Sequence, residues 1–195
     1  QTGYETVSTE VFAKMADTQT PQGILTVLEQ PVYDLTQLLE QPDPLFLMLE
    51  NLQDPGNLGT MIRTGEGAGI TGVIMNNQTV DIFNPKTIRA TMGSIFRVPF
   101  VYVPDLALVL EQMHAKGIYT YAAHLKGQEY YDSFSFREPT AFLIGNEGNG
   151  LSKEISDQAG QYLKIPMEGR VESLNASIAA ALLMYEAHRQ RSARL

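Results

Sequence analysis

From residue 45 onward the chain alternates between two kinds of apolar stretch. Short continuous runs have the form of strands buried on both faces: LFLMLEN (45–51), TGVIMNN (71–77), VPFVYV (98–103), IYTYAA (118–123), TAFLIGN (140–146) and QYLKIPM (161–167). Between them lie segments with helical spacing. NLGTMIRTGEGAG (57–69) spaces Leu58, Met61 and Ile62 helically and ends in glycines, with Asn57 a good cap near the helix start. NPKTIRATM (84–92) opens with Pro85 at a favoured first position. DLALVLEQMHAKG (105–117) has Asp105 as its cap and Gly117 as its stop, and LSKEISDQA (151–159) is a shorter helix. From about Ser173 to Arg191 a long helix carries Leu174, Ile178, Ala181, Leu182 and Tyr185 on one face. This alternation predicts an α/β fold, a mostly parallel sheet covered by helices on both faces.

The first 44 residues read differently. Residues 7–31 hold a short helical pattern, then Pro21 and Gly23, then a strand-like ILTVLEQ (24–30). Residues 32–44 carry three acids, end in two prolines and read as a linker with a helical turn. The expected boundary falls near residue 40, with 1–40 as a lead segment and 41–195 as the main domain.

Composition narrows the class. An apolar fraction of 44% fits a globular protein, and no run is long and apolar enough to span a membrane. The absence of cysteine removes disulfides, thiolate metal sites and thiol nucleophiles, and a cytoplasmic protein is expected. The chain opens on Gln1, which suggests a fragment or a trimmed product. The net charge of −8 argues against simple nucleic-acid binding. All of that excess lies in residues 1–54, where nine acids face one base; the remaining residues balance, thirteen against thirteen, and leave room for a local basic face.

Three stretches carry candidate chemistry. In FLIGNEGNGLS (142–152) a strand runs into a glycine-rich turn beside Glu147. It lacks the Lys-Ser/Thr of a phosphate-binding P-loop, so it suits a neutral or cationic ligand better than a polyphosphate; a plain strand-to-helix turn is the alternative. In LENLQDPGNLGTMIRTGEGAG (49–69), Arg63 follows Asn57 by six residues, either on a solvated helix face or aimed at phosphate at the sheet's carboxyl edge. Gly67, Gly69 and Gly72 spell G-x-G-x-x-G but close a helix and open a strand, the reverse of a dinucleotide fingerprint. In IPMEGRVESLNASIAAALLMYEAHRQR (165–191), Ser173 and Asn175 stand where a loop meets a helix, as caps or as a ligand wall, and the alanine-rich helix suits a subunit interface.

Taken together and in this order, the three stretches resemble the motifs of the SpoU (TrmH) family of RNA ribose 2′-O-methyltransferases. The resemblance covers roughly residues 45–191. It implies an α/β-knot, with a deep trefoil knot at the C-terminal end, an obligate homodimer, and S-adenosylmethionine held in the knotted loops. It implies that Ala123, Gly145, Ile165, Met167 and Leu174 line the cofactor pocket. Asn57, Arg63, Glu147, Ser173 and Asn175 match the family's polar active-site positions. The lead segment resembles the end of a substrate-binding domain that many members carry in front.

The implied reaction needs no metal, because a sulfonium already activates its leaving group. The family proposal makes Arg63 the proton acceptor, but a guanidinium stays protonated and is better suited to clamp a phosphate. Ribosomal RNA is the expected substrate, with transfer RNA the alternative and a catalytically silent RNA-binding domain the rival from another class. An ordinary doubly wound oxidoreductase would need a nucleotide fingerprint after the first strand, which residues 52–57 lack.

Overall fold

The computed structural model describes residues 3–16 and 18–192. Internal contacts divide the chain into two units, Gln1–Pro31 and Val32–Leu195. In the first, helix α1 (Thr9–Met15) is capped by Ser8 and buries no residue. The expected strand at 24–30 does not form: Ile24 and Val27 are exposed and the segment has no strand partner among the described residues. An extended apolar run without a partner cannot satisfy its backbone as a sheet.

The second unit begins with the short helix α2 (Leu35–Leu39), the turn expected in the linker, which buries Leu38 and Leu39. There follow β1 (Leu45–Leu49), α3 (Pro55–Ala68), β2 (Gly72–Asn76), α4 (Pro85–Thr91), β3 (Phe100–Val103), α5 (Leu106–Ala115) and β4 (Tyr119–Ala123). Then come β5 (Glu129–Tyr130), β6 (Thr140–Ile144), α6 (Lys153–Gln158), β7 (Gln161–Lys164) and α7 (Ala176–Ser192). The seven strands form one sheet in the order β3-β2-β1-β6-β4-β7-β5, and every pairing is parallel.

The continuous apolar runs sit where their composition sends them. All five residues of β1 are buried, as are those of β2 and β6. Leu45, Leu47 and Leu49 join the core shared with α3 and α7, while Phe46 and Met48 join the opposite core with α5 and α6. Side chains alternate across a strand, so an all-apolar run is required when helices cover both faces.

Local rules fix the helix ends. Asp54, not Asn57, caps α3: its carboxylate accepts the Asn57 N–H at 2.8 Å, and Pro55 takes the first turn. The residue before a proline is driven out of helical conformation, so the cap lies three residues earlier than expected. Gly59 of α3 lets α4 approach, since a Cβ there would stand 2.5 Å from the Ala90 Cβ.

The long helix begins at Ala176 rather than near Ser173, so Leu174 lies outside it. Helix α7 buries Ser177, Ala180, Leu183, Met184 and Ala187, whereas Ile178, Leu182 and Tyr185 are 37–49% exposed. It has apolar residues on two sides, and the side rich in small residues faces the sheet. Its last turn is tied down by Arg191, whose guanidinium donates to the carbonyls of Asp43, Pro44, Phe136 and Glu138 at the sheet's amino edge.

Candidate active site

Four strands deliver the site from their carboxyl ends, the edge at which open α/β sheets bind ligands. β6 leads into the glycine loop. Asn146 and Gly150 exchange backbone hydrogen bonds of 3.1 and 2.9 Å, and the Asn146 side chain accepts from the N–H groups of Gly148 and Asn149. The loop folds so closely that a Cβ on Gly145 would lie 2.1 Å from the backbone of Gly150 and Leu151. Only glycine fits.

The segment after β1 forms a rail to which this loop is fastened. Buried Glu50 accepts the Ser152 N–H at 2.7 Å, and the Asn51 carbonyl accepts from Asn146 Nδ2 at 2.9 Å. Asn51 takes a left-handed turn, φ 55°, a conformation asparagine tolerates better than most residues. Asn76, at the end of β2, holds it there by accepting the Asn51 N–H and donating to its side-chain oxygen.

Glu147 is the central fastening. One carboxylate oxygen accepts the Gln53 N–H at 3.0 Å; the other accepts the Asp54 N–H at 2.9 Å and Asn57 Nδ2 at 3.0 Å. Burial pushes this carboxyl up, but the hydrogen bonds from Asn57, Asp54 and Gln53 outweigh it and hold the group below the usual carboxylate range. Asn57 in turn accepts from Asn175 Nδ2 at 3.0 Å. Asn175 caps α7, its oxygen accepting from the Ser177 N–H at 2.8 Å and the Ser177 hydroxyl at 2.7 Å. Each amide donates through its nitrogen and accepts through its oxygen, so the chain of bonds fixes both orientations.

A cavity of about 500 Å³ opens between these loops, within the size range of small-molecule sites. Ala123, Gly145, Ile165, Met167 and Leu174 all line it, and Glu147 and Ser173 stand on its wall. Asn57 and Asn175 do not line it, but join it through the Glu147 chain. Arg63 lies outside the wall, exposed on α3, and makes no hydrogen bond or ion pair with any described residue. Ser173 is exposed, also without such a bond, and is not a helix cap.

Sequence reasoning missed His124, which follows β4 directly and lines the cavity. Its ring stacks on Tyr162 at 4.9 Å, and its Nδ1 accepts the Lys126 N–H, leaving the proton on Nε2. Burial, helped by Lys126, pushes its pKa down, so it is neutral at physiological pH. Its place just beyond a strand's carboxyl end was the available signal.

A profile of the SpoU rRNA Methylase family matches residues 44–185. The chain belongs to that family. It is 35% identical to the 23S rRNA (guanosine(2553)-2′-O)-methyltransferase RlmP of Bacillus subtilis over 179 residues, 92% of this chain and 70% of that protein. It is 33% identical to the 23S rRNA (uridine(2479)-2′-O)-methyltransferase of Streptomyces viridochromogenes, over 95% of this chain and 69% of that one. Its structure superposes on the AdoMet-bound rRNA methyltransferase from Sinorhizobium meliloti with a TM-score of 0.86 at 35% identity, covering 93% of this chain and 70% of that one.

Membership makes the chain an RNA methyltransferase that draws its methyl group from S-adenosylmethionine and delivers it to a ribose 2′-hydroxyl. The site fits that donor: it pairs apolar walls at Ile165 and Leu174 with backbone donors and acceptors of a glycine loop, and has room for a nucleoside carrying an amino-acid chain. No described helix is long and apolar enough to cross a membrane, and no described cluster of His, Asp or Glu has metal-binding form.

Proposed function

We propose that the substrate is ribosomal RNA, modified in the cytoplasm by a homodimer of this chain. The observation that supports the site assignment is the Glu147–Asn57–Asn175 chain, which joins all three candidate stretches at one cavity. When bound, S-adenosylmethionine supplies a methyl group already activated for displacement by the positive charge on sulfur. The protein's task is then to hold, orient and exclude water.

Ala123, Gly145, Ile165, Met167 and Leu174 bind the donor. Glu147 is a poor base for the hydroxyl proton, because three N–H donors stabilise its charged form and hold its pKa below the usual carboxylate range. It positions the glycine loop instead, and Asn57 and Asn175 position Glu147. Ser173, with a free hydroxyl at the rim, meets the substrate. Arg63 remains protonated and clamps the phosphate next to the target ribose, orienting the 2′-hydroxyl.

The exposed Ile178–Leu182–Tyr185 face of α7 supports the dimer, and so does the position of Arg63 outside its own cavity wall: a second copy covers the one and receives the other. The trefoil knot is supported by the insertion of β6 between β1 and β4 and by the glycine loop folded tightly on itself. Residues 1–40 are read as the end of a substrate-binding domain with its linker.

The test is transfer of radiolabelled methyl to purified ribosomal RNA and transfer RNA in parallel. Label in a ribose of ribosomal RNA is the expected result. Label in transfer RNA alone overturns the substrate class. Binding of S-adenosylhomocysteine without label in either RNA would make the domain catalytically silent.

A further inference from the structure

Residues 82–104 form the longest stretch of this acidic chain without a carboxylate side chain, and they hold three bases, Lys86, Arg89 and Arg97. The segment folds as α4, a short turn at Ser94–Phe96, and β3. Its apolar residues do not all go inside. Thr91, Ser94 and Ile95 are buried, while Met92 and Phe96 are 69% and 62% exposed. Met92 also holds a left-handed backbone, φ 50°, which disfavours any residue with a large side chain. An apolar side chain kept in water on a strained backbone points to a partner that rewards both.

The charges around this patch are specific. Lys86 pairs with Asp54 at 3.3 Å, and Arg97 pairs with Glu66, both on the α3 side. Arg89 is exposed and has no acidic partner among the described residues. The patch is therefore basic and aromatic; the exposed Lys86–Asp54 pair is weakly held and permits exchange of a carboxylate for a phosphate, while Arg97 stays in its two-point pair with Glu66. Its place matters too. α4 packs closely on α3 at Gly59, and Asp54, which Lys86 reaches, gives its own N–H to Glu147. The patch thus begins one ion pair away from the active-site fastening.

We propose that α4 and the turn after it are a docking surface for the RNA strand flanking the target ribose, with Phe96 stacking on a base and Arg89 meeting a phosphate. Exposed bases of single-stranded RNA stack on aromatic rings, and basic side chains track the backbone. The inference rests on the methyltransferase reading for where the target ribose lies.

Fluorescence anisotropy of a labelled single-stranded oligouridine tests it, with calorimetry of S-adenosylhomocysteine and thermal unfolding on the same proteins. Phe96→Ala is expected to weaken RNA binding about tenfold. Arg89→Gln is expected to weaken it several-fold and make the salt dependence shallower by about one. Cofactor-product affinity and unfolding should not move in either variant. Unchanged RNA affinity in both, or a wild type that does not bind the RNA, overturns the proposal; so does a change in sedimenting mass with Phe96→Ala, which makes the patch a protein interface. A wild type that binds RNA through Phe96 but not S-adenosylhomocysteine would leave the surface standing and remove the methyltransferase reading.

Discussion

Asn57 and Asn175 are 118 residues apart in sequence and meet through one 3.0 Å hydrogen bond between their side-chain amides. The bond joins the start of α3 to the cap of α7, with Glu147 on the far side of Asn57. Cap and bridge can be separated. Asn175→Asp keeps an oxygen to accept from Ser177 but sets a carboxylate oxygen against Asn57 Oδ1. Stability should change by less than about 1 kcal/mol, because the cap survives. Methyl-transfer efficiency should fall by about 100-fold, as expected of a small displacement next to the reacting groups. Steady-state kinetics beside thermal unfolding decide it; equal activity would remove the bridge from the mechanism.

The state of Glu147 sets an acid limit. Its folded pKa lies below its ordinary 4.5, so its fastening contributes fully above the ordinary range and is lost as pH falls through the lower folded value. S-adenosylhomocysteine affinity should therefore be level from neutral pH down to about 5 and drop only below the usual carboxylate range. A midpoint above the carboxylate range but below the ordinary 6.5 of histidine would assign the control to another group, with His124 on the cavity wall, its pKa pushed down by burial, the first to examine.

Gly145→Ala is the sharpest steric test. The new Cβ would lie 2.1 Å from backbone atoms of Gly150 and Leu151, which no side-chain rotation relieves. The loop must open. A cost of about 1–3 kcal/mol is expected, with cofactor-product binding lost under conditions where circular dichroism still shows the folded sheet. Calorimetry that finds normal binding would mean that the loop geometry is not what holds the ligand.

The outer face of α7 predicts assembly. Leu182→Asp adds a charge to a residue 37% exposed in the single chain, so the fold should survive. Analytical ultracentrifugation should show dimers becoming monomers, with methyl transfer lost in parallel. A dimer that persists would place the subunit interface elsewhere.

How much of this was legible depended on the residue. The central strands were, because a strand buried on both faces needs an unbroken apolar run, and β1, β2 and β6 have one. The buried side of α7 was not: Leu183 and Met184 go inside while Ile178, Leu182 and Tyr185, of similar size or larger, stay exposed, and Ala180 and Ala187 let the helix sit close to its neighbours. Periodicity sees hydrophobicity, not which side a neighbour can approach. The cap of α3 was misplaced although the Asp54-Pro55 step carried the information. The pair of strand residues Glu129 and Tyr130 is too short for any pattern. In the site, the motifs singled out residues that do come together, since Ala123, Gly145, Ile165, Met167 and Leu174 line one cavity. The Asn51–Asn76 latch could not, because its partners come from separate strands and meet only once the sheet exists.

The place of β6 has a consequence for how the protein is made. β1 pairs with β2 on one side and waits for β6 on the other, with β2 to β5 and the intervening helices synthesised in between. Until Thr140–Ile144 arrives, a nascent chain carries a fully apolar strand with an open edge, the state most prone to pair with a neighbour. The strand that ends this vulnerability is also the one that ends in the glycine loop. The residues that close the open edge are therefore also those that bring in one wall of the cavity, which Ile165, Met167 and Leu174 complete later.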